Sequence, residues 1–138
     1  MRVYLAAAMT NPSRDLALLA ALLEHLEARG HEVPTRHIVD PQARERDLAL
    51  SAAALAQRDL AWIASVDALV AEVSTPSHGV GVEVTVASQR RTPVLLLHRH
   101  SAPVSRLMLG LPGCERAGYA DAAEAGAAID SFLARVGR

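Results

Sequence analysis

Two acidic residues of this sequence are candidates for a nucleophile and a general acid, and the first is Glu83. It ends the segment PSHGVGVE at residues 76–83, which follows an apolar run at 68–73. The glycines Gly79 and Gly81 are predicted to bind a ligand, since glycine lets the backbone approach closely and adopt positive φ. The start of the following helix carries a partial positive charge, which favours an ionised carboxylate and predicts Glu83 to be a nucleophile or an anionic anchor. The alternative is an ordinary turn before a helix-capping Glu.

The second carboxylate is Asp59, in a predicted helix over 48–65. The helical spacing places it on one stripe with apolar residues, namely Leu55, Trp62, Ile63 and Val66. That stripe should pack against a sheet, where desolvation raises the pKa of an aspartate and keeps it protonated part of the time, as a general acid requires. A boundary aspartate bonded to Arg58 or Arg90 is the alternative. Two carboxylates under opposing pKa pressures suit retaining glycoside cleavage.

Further polar residues are predicted near the same cleft. Tyr4 lies on the first strand, where its phenol could orient the nucleophile or simply fill the core. Ser77, Ser105 and Thr10 could bind a phosphate or a sugar through their hydroxyls, or be ordinary surface residues. His37 ends the predicted second strand at the same edge of the sheet.

Strand-like and helix-like segments alternate along the whole chain, as in a parallel α/β sheet. The expected strands are 2–7, 31–37, 67–73, 94–98 and 116–120, and the expected helices are 13–29, 48–65, about 79–91, 104–109 and 122–136. The polar segment 41–47 is a loop, a short helix or a lid. We therefore predict an α/β, flavodoxin-like (Rossmann-like), doubly wound sheet of five parallel strands. Ligands bind such sheets at the switch point, which sets 7–13 opposite 74–83.

Composition limits the classes of protein that this chain can belong to. Its 138 residues are enough for one hydrophobic core, so we predict a single domain over 1–138. No apolar span is long enough for a bilayer and no signal peptide is evident, so no membrane partner and a cytoplasmic location are expected. A net charge of −1 and scattered basic residues disfavour a nucleic acid polymer and favour a small-molecule partner. The absence of lysine excludes Schiff-base chemistry.

Metal ligands are scarce. A single cysteine, Cys114, excludes an internal disulfide and a cysteine-rich metal site. His98 and His100 have the spacing of one strand face, but no third ligand is nearby. We predict no metal and no other cofactor.

Three motifs together resemble a known family. RDLAWIASVD at 58–67, VAEVS at 70–74 and PSHGVGVE at 76–83 are similar to the nucleoside 2-deoxyribosyltransferase superfamily, most closely to its 2′-deoxynucleoside 5′-monophosphate N-glycosidase branch. The first strand, residues 35–40 and residues 104–105 also align, so the resemblance covers most of the chain. It implies a flavodoxin-like subunit of a homodimer, with a site near the interface that cleaves the bond between a nucleobase and a deoxyribose 5′-phosphate.

The resemblance also implies a role for particular residues. Glu83 matches the nucleophile on C1′, Asp59 the acid beside the base, and Tyr4 the phenol that orients the nucleophile. Ser77 matches a phosphate-binding serine, and Ser105 matches a phosphate contact that reaches the neighbouring subunit's site. Base exchange by a deoxyribosyltransferase and a non-catalytic nucleotide-binding module are the alternatives.

The first loop departs from the family pattern. Where the family commonly has a Gly-Ser-Ile-Arg run, this chain reads Ala7-Ala8-Met9-Thr10, so a phosphate-binding arginine is missing. Arg14 at the start of the first helix is the candidate replacement. A pocket that holds phosphate weakly and accepts unphosphorylated nucleosides is the alternative, and the preferred base and sugar stay open.

Overall fold

A computed structural model describes residues 1–138 and contains a parallel sheet of four strands in the spatial order β1-β2-β3-β4. The strands are β1 (Val3–Ala6), β2 (Ala68–Glu72), β3 (Val94–Arg99) and β4 (Cys114–Tyr119). Tyr4 of β1 lies opposite Leu69 of β2, which in turn lies opposite Val94 of β3. Every residue of β1 and β2 is buried, as expected for parallel strands covered on both faces.

Helices cover both faces of the sheet. They are α1 (Leu16–Ala28), α2 (Ala43–Leu48), α3 (Ala52–Ile63), α4 (His78–Gln89), α5 (Arg106–Leu109) and α6 (Ala122–Val136), with a 3₁₀ turn at Arg36–Val39. One apolar core joins α1 and α6 to the sheet, and a second core joins α3, α4 and α5 to the opposite face. None of these helices combines the length and the apolar character that a bilayer crossing needs.

The prediction of five strands was wrong by one strand. Residues 31–37 make a single parallel bridge, between Glu32 and Arg2, and then leave the sheet. Beyond it, the Thr35 hydroxyl donates a hydrogen bond to Leu5 O at 2.8 Å and accepts one from Leu5 N at 3.0 Å. A buried side chain therefore takes the place of a backbone partner along this edge of β1, and the chain turns into the 3₁₀ segment instead of continuing a strand.

The predicted helix over 48–65 is shorter in the structure, where α3 covers only Ala52–Ile63. Ser51 has an extended backbone, and its Oγ accepts a hydrogen bond from Ala54 N, so α3 begins one residue later at Ala52. The polar segment before it forms the separate short helix α2. The terminal helix over 122–136 is confirmed, and Asp121 caps it through a hydrogen bond from Glu124 N. The predicted placement of residues 7–13 opposite 74–83 agrees with the structure, because residues from 7–10 and 77–83 line one cavity. The four strands follow chain order across the sheet, so the predicted reversal of strand order is absent from it.

Candidate active site

Tyr4 and Glu83 form a hydrogen bond between the sheet and α4. The Tyr4 hydroxyl donates to Glu83 Oε1 over 2.8 Å. Tyr4 is fixed because it lies in the centre of β1 and is only 2% exposed. Glu83 lies in the second turn of α4, on the side that faces β1. The contact therefore depends on the packing of α4 against the sheet.

Burial sets the protonation of this pair. Desolvation raises the pKa of the Glu83 carboxyl to about 7, and the charge of Asp59 adds to that effect, while the Tyr4 hydrogen bond and the Arg58 charge oppose it. Burial, followed by the charges of Glu83 and Asp59, also raises the pKa of Tyr4, so the phenol remains a donor. The prediction that the helix start would favour ionised Glu83 was wrong. Glu83 lies beyond the first turn, where the terminal charge of a helix is weak.

Asp59 is bonded to Arg58 and is not buried against the sheet. Arg58 Nε donates to Asp59 Oδ1 at 2.9 Å, and Arg58 Nη1 donates to Asp47 Oδ1 at 2.8 Å. The Asp59 side chain is 24% exposed, and Ile63 is the only buried residue of α3. Leu55 and Asp59 of the predicted stripe thus line a cleft, whereas Ile63 packs against the sheet. The alternative, a pairing with Arg58, is the contact that the structure shows.

The two carboxylates share a cavity of about 370 Å³ at the carboxyl ends of β1 and β2. Its walls come from the first loop, α2, α3 and the start of α4: Ala7, Met9, Thr10, Arg44, Asp47, Leu48, Leu55, Asp59, Ser77, His78, Gly79, Val80 and Glu83. A recess of about 30 Å³ adjoins the cavity and reaches Tyr4, His37 and Arg58. No three His, Cys, Asp or Glu side chains are placed to hold a metal ion.

His37 belongs to the recess and not to the main cavity. Its ring lies 5.4 Å from the Trp62 ring, measured between centroids, and Arg58 lies over the same Trp62 at 4.8 Å. Burial and the Arg58 charge lower the pKa of His37, which keeps its ring neutral near pH 7. His37 thus lines the floor beside the carboxylates.

A larger cavity of about 790 Å³ lies on the other side of the α4 start and contains none of Tyr4, Asp59 and Glu83. Ser105 lines only this larger cavity, whereas Ser77 lines both. We assign the candidate active site to the smaller cavity, because Asp59 and Glu83 both line it. Within one subunit, the two predicted phosphate serines are not brought together beside Glu83.

The glycines of the 76–83 segment have helical backbones. Neither Gly79 nor Gly81 has positive φ, so the prediction that these positions use glycine to adopt positive φ was wrong. A Cβ atom at Gly79 would lie 3.8 Å from Ser77 Oγ, and one at Gly81 would meet nothing within 4 Å. Ser77 caps α4, its Oγ accepting from Val80 N at 3.4 Å. Gly79 lines the smaller cavity and Gly81 the larger one, so each leaves its cavity free of a side chain.

Arg14 does not reach the cavity. Its guanidinium donates to Ile38 O at 3.1 Å and to Asp40 O at 3.5 Å, which ties it to the 3₁₀ turn. Thr10 is exposed on the cavity wall. Sequence reasoning missed Arg44 and Asp47, which also line it. The only signal for them was the charge of the polar segment before α3.

The amino-acid sequence of this chain is similar to those of known proteins. Residues 3–133 match the family model described as nucleoside 2-deoxyribosyltransferase. The chain belongs to the nucleoside 2-deoxyribosyltransferase family. A relative from Thermofilum pendens, named as a candidate 2′-deoxynucleoside 5′-phosphate N-hydrolase 1, is 36% identical over 96% of this chain and 95% of its own. A mouse relative named 5-hydroxymethyl-dUMP N-hydrolase is 34% identical over 70% of this chain and 57% of its own.

A solved structure described as the CMP N-glycosidase of Clostridium botulinum has the same fold. Its TM-score is 0.72 at 22% identity, and the match covers 96% of this chain and all of that one (100%). The parallel α/β sheet with helices is therefore the fold of this family, and in this chain it has four strands.

The partly buried Glu83 carboxyl should contribute more to stability in acid than in base. The folded state holds the Glu83 proton up to a pKa of about 7, whereas the unfolded chain releases it near the ordinary glutamate pKa of 4.5. The contribution of Glu83 to the free energy of unfolding therefore falls as pH rises between these values. We expect Glu83→Gln to raise that free energy by on the order of 2–3 kcal/mol at pH 8.5 and by little at pH 4.5.

Denaturant unfolding at the two pH values measures this difference, and Glu24→Gln is the control. Glu24 is an exposed residue of α1, so its replacement should change little at either pH. An equal effect of Glu83→Gln at both pH values, or a loss of stability at pH 8.5, would contradict the assigned burial.

Proposed function

We propose that this protein hydrolyses the N-glycosidic bond of (2′-deoxy)nucleoside 5′-monophosphates, releasing the free base and the sugar 5-phosphate. The observation that carries the proposal is the hydrogen bond from Tyr4 to Glu83 in a cavity that Asp59 also lines. Relatives named as N-hydrolases of nucleoside 5′-phosphates support the substrate class. A partly buried carboxyl oriented by a phenol, with a second carboxylate nearby, suits displacement at an anomeric carbon.

The reaction proceeds in two displacements. A Glu83 carboxylate oxygen attacks C1′ while the C1′–N bond breaks, its electron pair leaves with the base, and Asp59, as the general acid, donates a proton to that base. Arg58 holds Asp59 Oδ1, so Oδ2 is the oxygen available to the base. Water then attacks C1′, Asp59 takes a proton from that water, and the C1′–O bond to Glu83 breaks, restoring both carboxyl groups.

Tyr4 fixes the geometry of the nucleophile. Its hydroxyl occupies Oε1 of Glu83, which leaves Oε2 for the sugar. With a pKa of about 7, Glu83 is about half ionised at neutral pH. Its ionised form has lost most of its water, so little solvent must be removed before it attacks.

The 5′-phosphate is placed at the start of α4. Ser77 and the backbone of Gly79 line the cavity there. The N–H groups of His78 and Gly79 are free to bind an anion, whereas that of Val80 is bonded to Ser77 Oγ. Thr10 offers a hydroxyl from the first loop on the same cavity. These groups are neutral, so they position a phosphate without supplying a full positive charge.

A homodimer completes the proposed site. Ser105 lies in the larger cavity, away from Glu83 of its own subunit. Apolar side chains line the same cavity, and two of them are strongly exposed, Leu107 at 79% and Val82 at 59%. Covering this surface with a second copy would bury apolar area and bring Ser105 towards the partner's cavity.

The activity test incubates the protein with a panel of nucleosides and their 5′-monophosphates and separates the products by chromatography. We expect free base from the monophosphates and none with Glu83→Ala, which removes the attacking oxygen while leaving the sheet intact. Adding a second free base distinguishes the transferase, because an exchanged nucleotide would then appear. Release of no base from any substrate would favour a non-catalytic nucleotide-binding module.

Mixed dimers test the role of Ser105. The Ser105→Asp side chain should repel the phosphate. The native Ser105 side chain makes no capping bond to α5, so no such bond is lost in the variant. If Ser105 serves the neighbouring site, dimers of Glu83→Gln with Ser105→Asp contain one complete site. Random pairing of the two inactive variants should then recover roughly a quarter of wild-type activity. A monomer in solution, or mixtures as inactive as either variant alone, would contradict the shared site.

A further inference from the structure

The charge of the smaller cavity conflicts with an anionic substrate. Three carboxylates line it, those of Asp47, Asp59 and Glu83. A nucleotide phosphate brought into this cavity meets like charges, which weakens its binding unless a cation is also present. Arg58 cannot serve, because its guanidinium is bonded to two of these acids and lies outside the main cavity wall. The site therefore needs another positive group.

Arg44 is the only arginine that lines this cavity. Its guanidinium makes no hydrogen bond and no ion pair with any other residue of the chain, whereas the guanidinium of Arg46 is paired with Asp40 at 2.7 Å. An arginine without a protein partner keeps all five of its donors for a ligand. A guanidinium also matches two oxygens of a phosphate at once.

The backbone around Arg44 is held in place on both sides. Ala43 is 1% exposed, and its N–H donates to Asp40 O at 3.0 Å. Asp47, one turn further along α2, is bonded to Arg58 at 2.8 Å. Arg44, Asp47 and Leu48 have helical i, i+3 and i+4 spacing and all line the cavity, so one face of α2 is turned towards it.

We infer that Arg44 binds the 5′-phosphate of the substrate and sets the preference of this protein for nucleotides over nucleosides. The inference rests on the proposed function and names the cation of its substrate site. It also accounts for the first loop, which offers Thr10 and no charge, while Arg14 is bonded to backbone carbonyls elsewhere. Helix α2 thereby supplies the positive charge that the first loop lacks.

The test compares kcat/KM for a deoxynucleoside and for its 5′-monophosphate in wild type, Arg44→Gln, Arg44→Lys and Arg46→Gln. Arg44→Gln should lower the value for the monophosphate by about 10- to 100-fold, mainly through KM, and leave the nucleoside value unchanged. Arg44→Lys should retain part of the preference, since it keeps the charge but not the two-pronged contact. Arg46→Gln is the matched control on the same helix and should behave as wild type.

If the wild type releases base, the proposed function is supported, and three results would then overturn the inference about Arg44. They are no preference for the monophosphate in wild type, an unchanged preference in Arg44→Gln, and an equal loss in Arg46→Gln. If the wild type releases no base, the proposed function fails, and calorimetric binding of 2-deoxyribose 5-phosphate decides the inference separately. Arg44→Gln should then bind it at least about tenfold more weakly than Arg46→Gln does, and equal binding would overturn the role of Arg44.

Discussion

The hydrogen bond from Tyr4 to Glu83 is the interaction on which the proposed site depends. It forms because β1, buried on both faces, holds the phenol rigidly, and because α4 packs its second turn against that strand. Desolvation would by itself favour a neutral Glu83, and the phenol is the group that counteracts it at hydrogen-bond distance. A nucleophile that is ionised yet poorly solvated is the outcome of these two opposing effects.

A carboxylate buried at some cost in stability persists only if the surrounding packing is strong, and here two apolar cores enclose the sheet. Asp59 lies in a different environment, because it is partly exposed and held by Arg58. Arg58 in turn rests on Trp62 and bonds Asp47, so one cation orients the acid and joins α2 to α3. The proposed nucleophile, Glu83, is thus placed by packing, whereas the proposed acid, Asp59, is placed by charge.

Much of the fold and part of the site could be predicted from the sequence. The apolar runs of β2 and β3 and the glycine-containing segment at 76–83 predicted a cleft at the carboxyl edge of the sheet, with Glu83 close to the first loop, and both line one cavity. The second strand could not be predicted correctly, since the Thr35 side chain replaces a backbone partner on Leu5. Periodicity placed Asp59 on a sheet-facing stripe, but it cannot show that the stripe opens onto a cleft. Arg44 lies on a helix too short for any periodicity to reveal its face.

The central claim is that Glu83 attacks C1′ and carries the sugar phosphate between the two displacements. The most direct test is to quench the reaction in acid during turnover of a deoxynucleoside monophosphate and to map the modified peptides by mass spectrometry. The account predicts an adduct on Glu83 with the mass of deoxyribose 5-phosphate less one water. An adduct on Asp59, or base release in an early burst with no adduct on any carboxyl group, would contradict it.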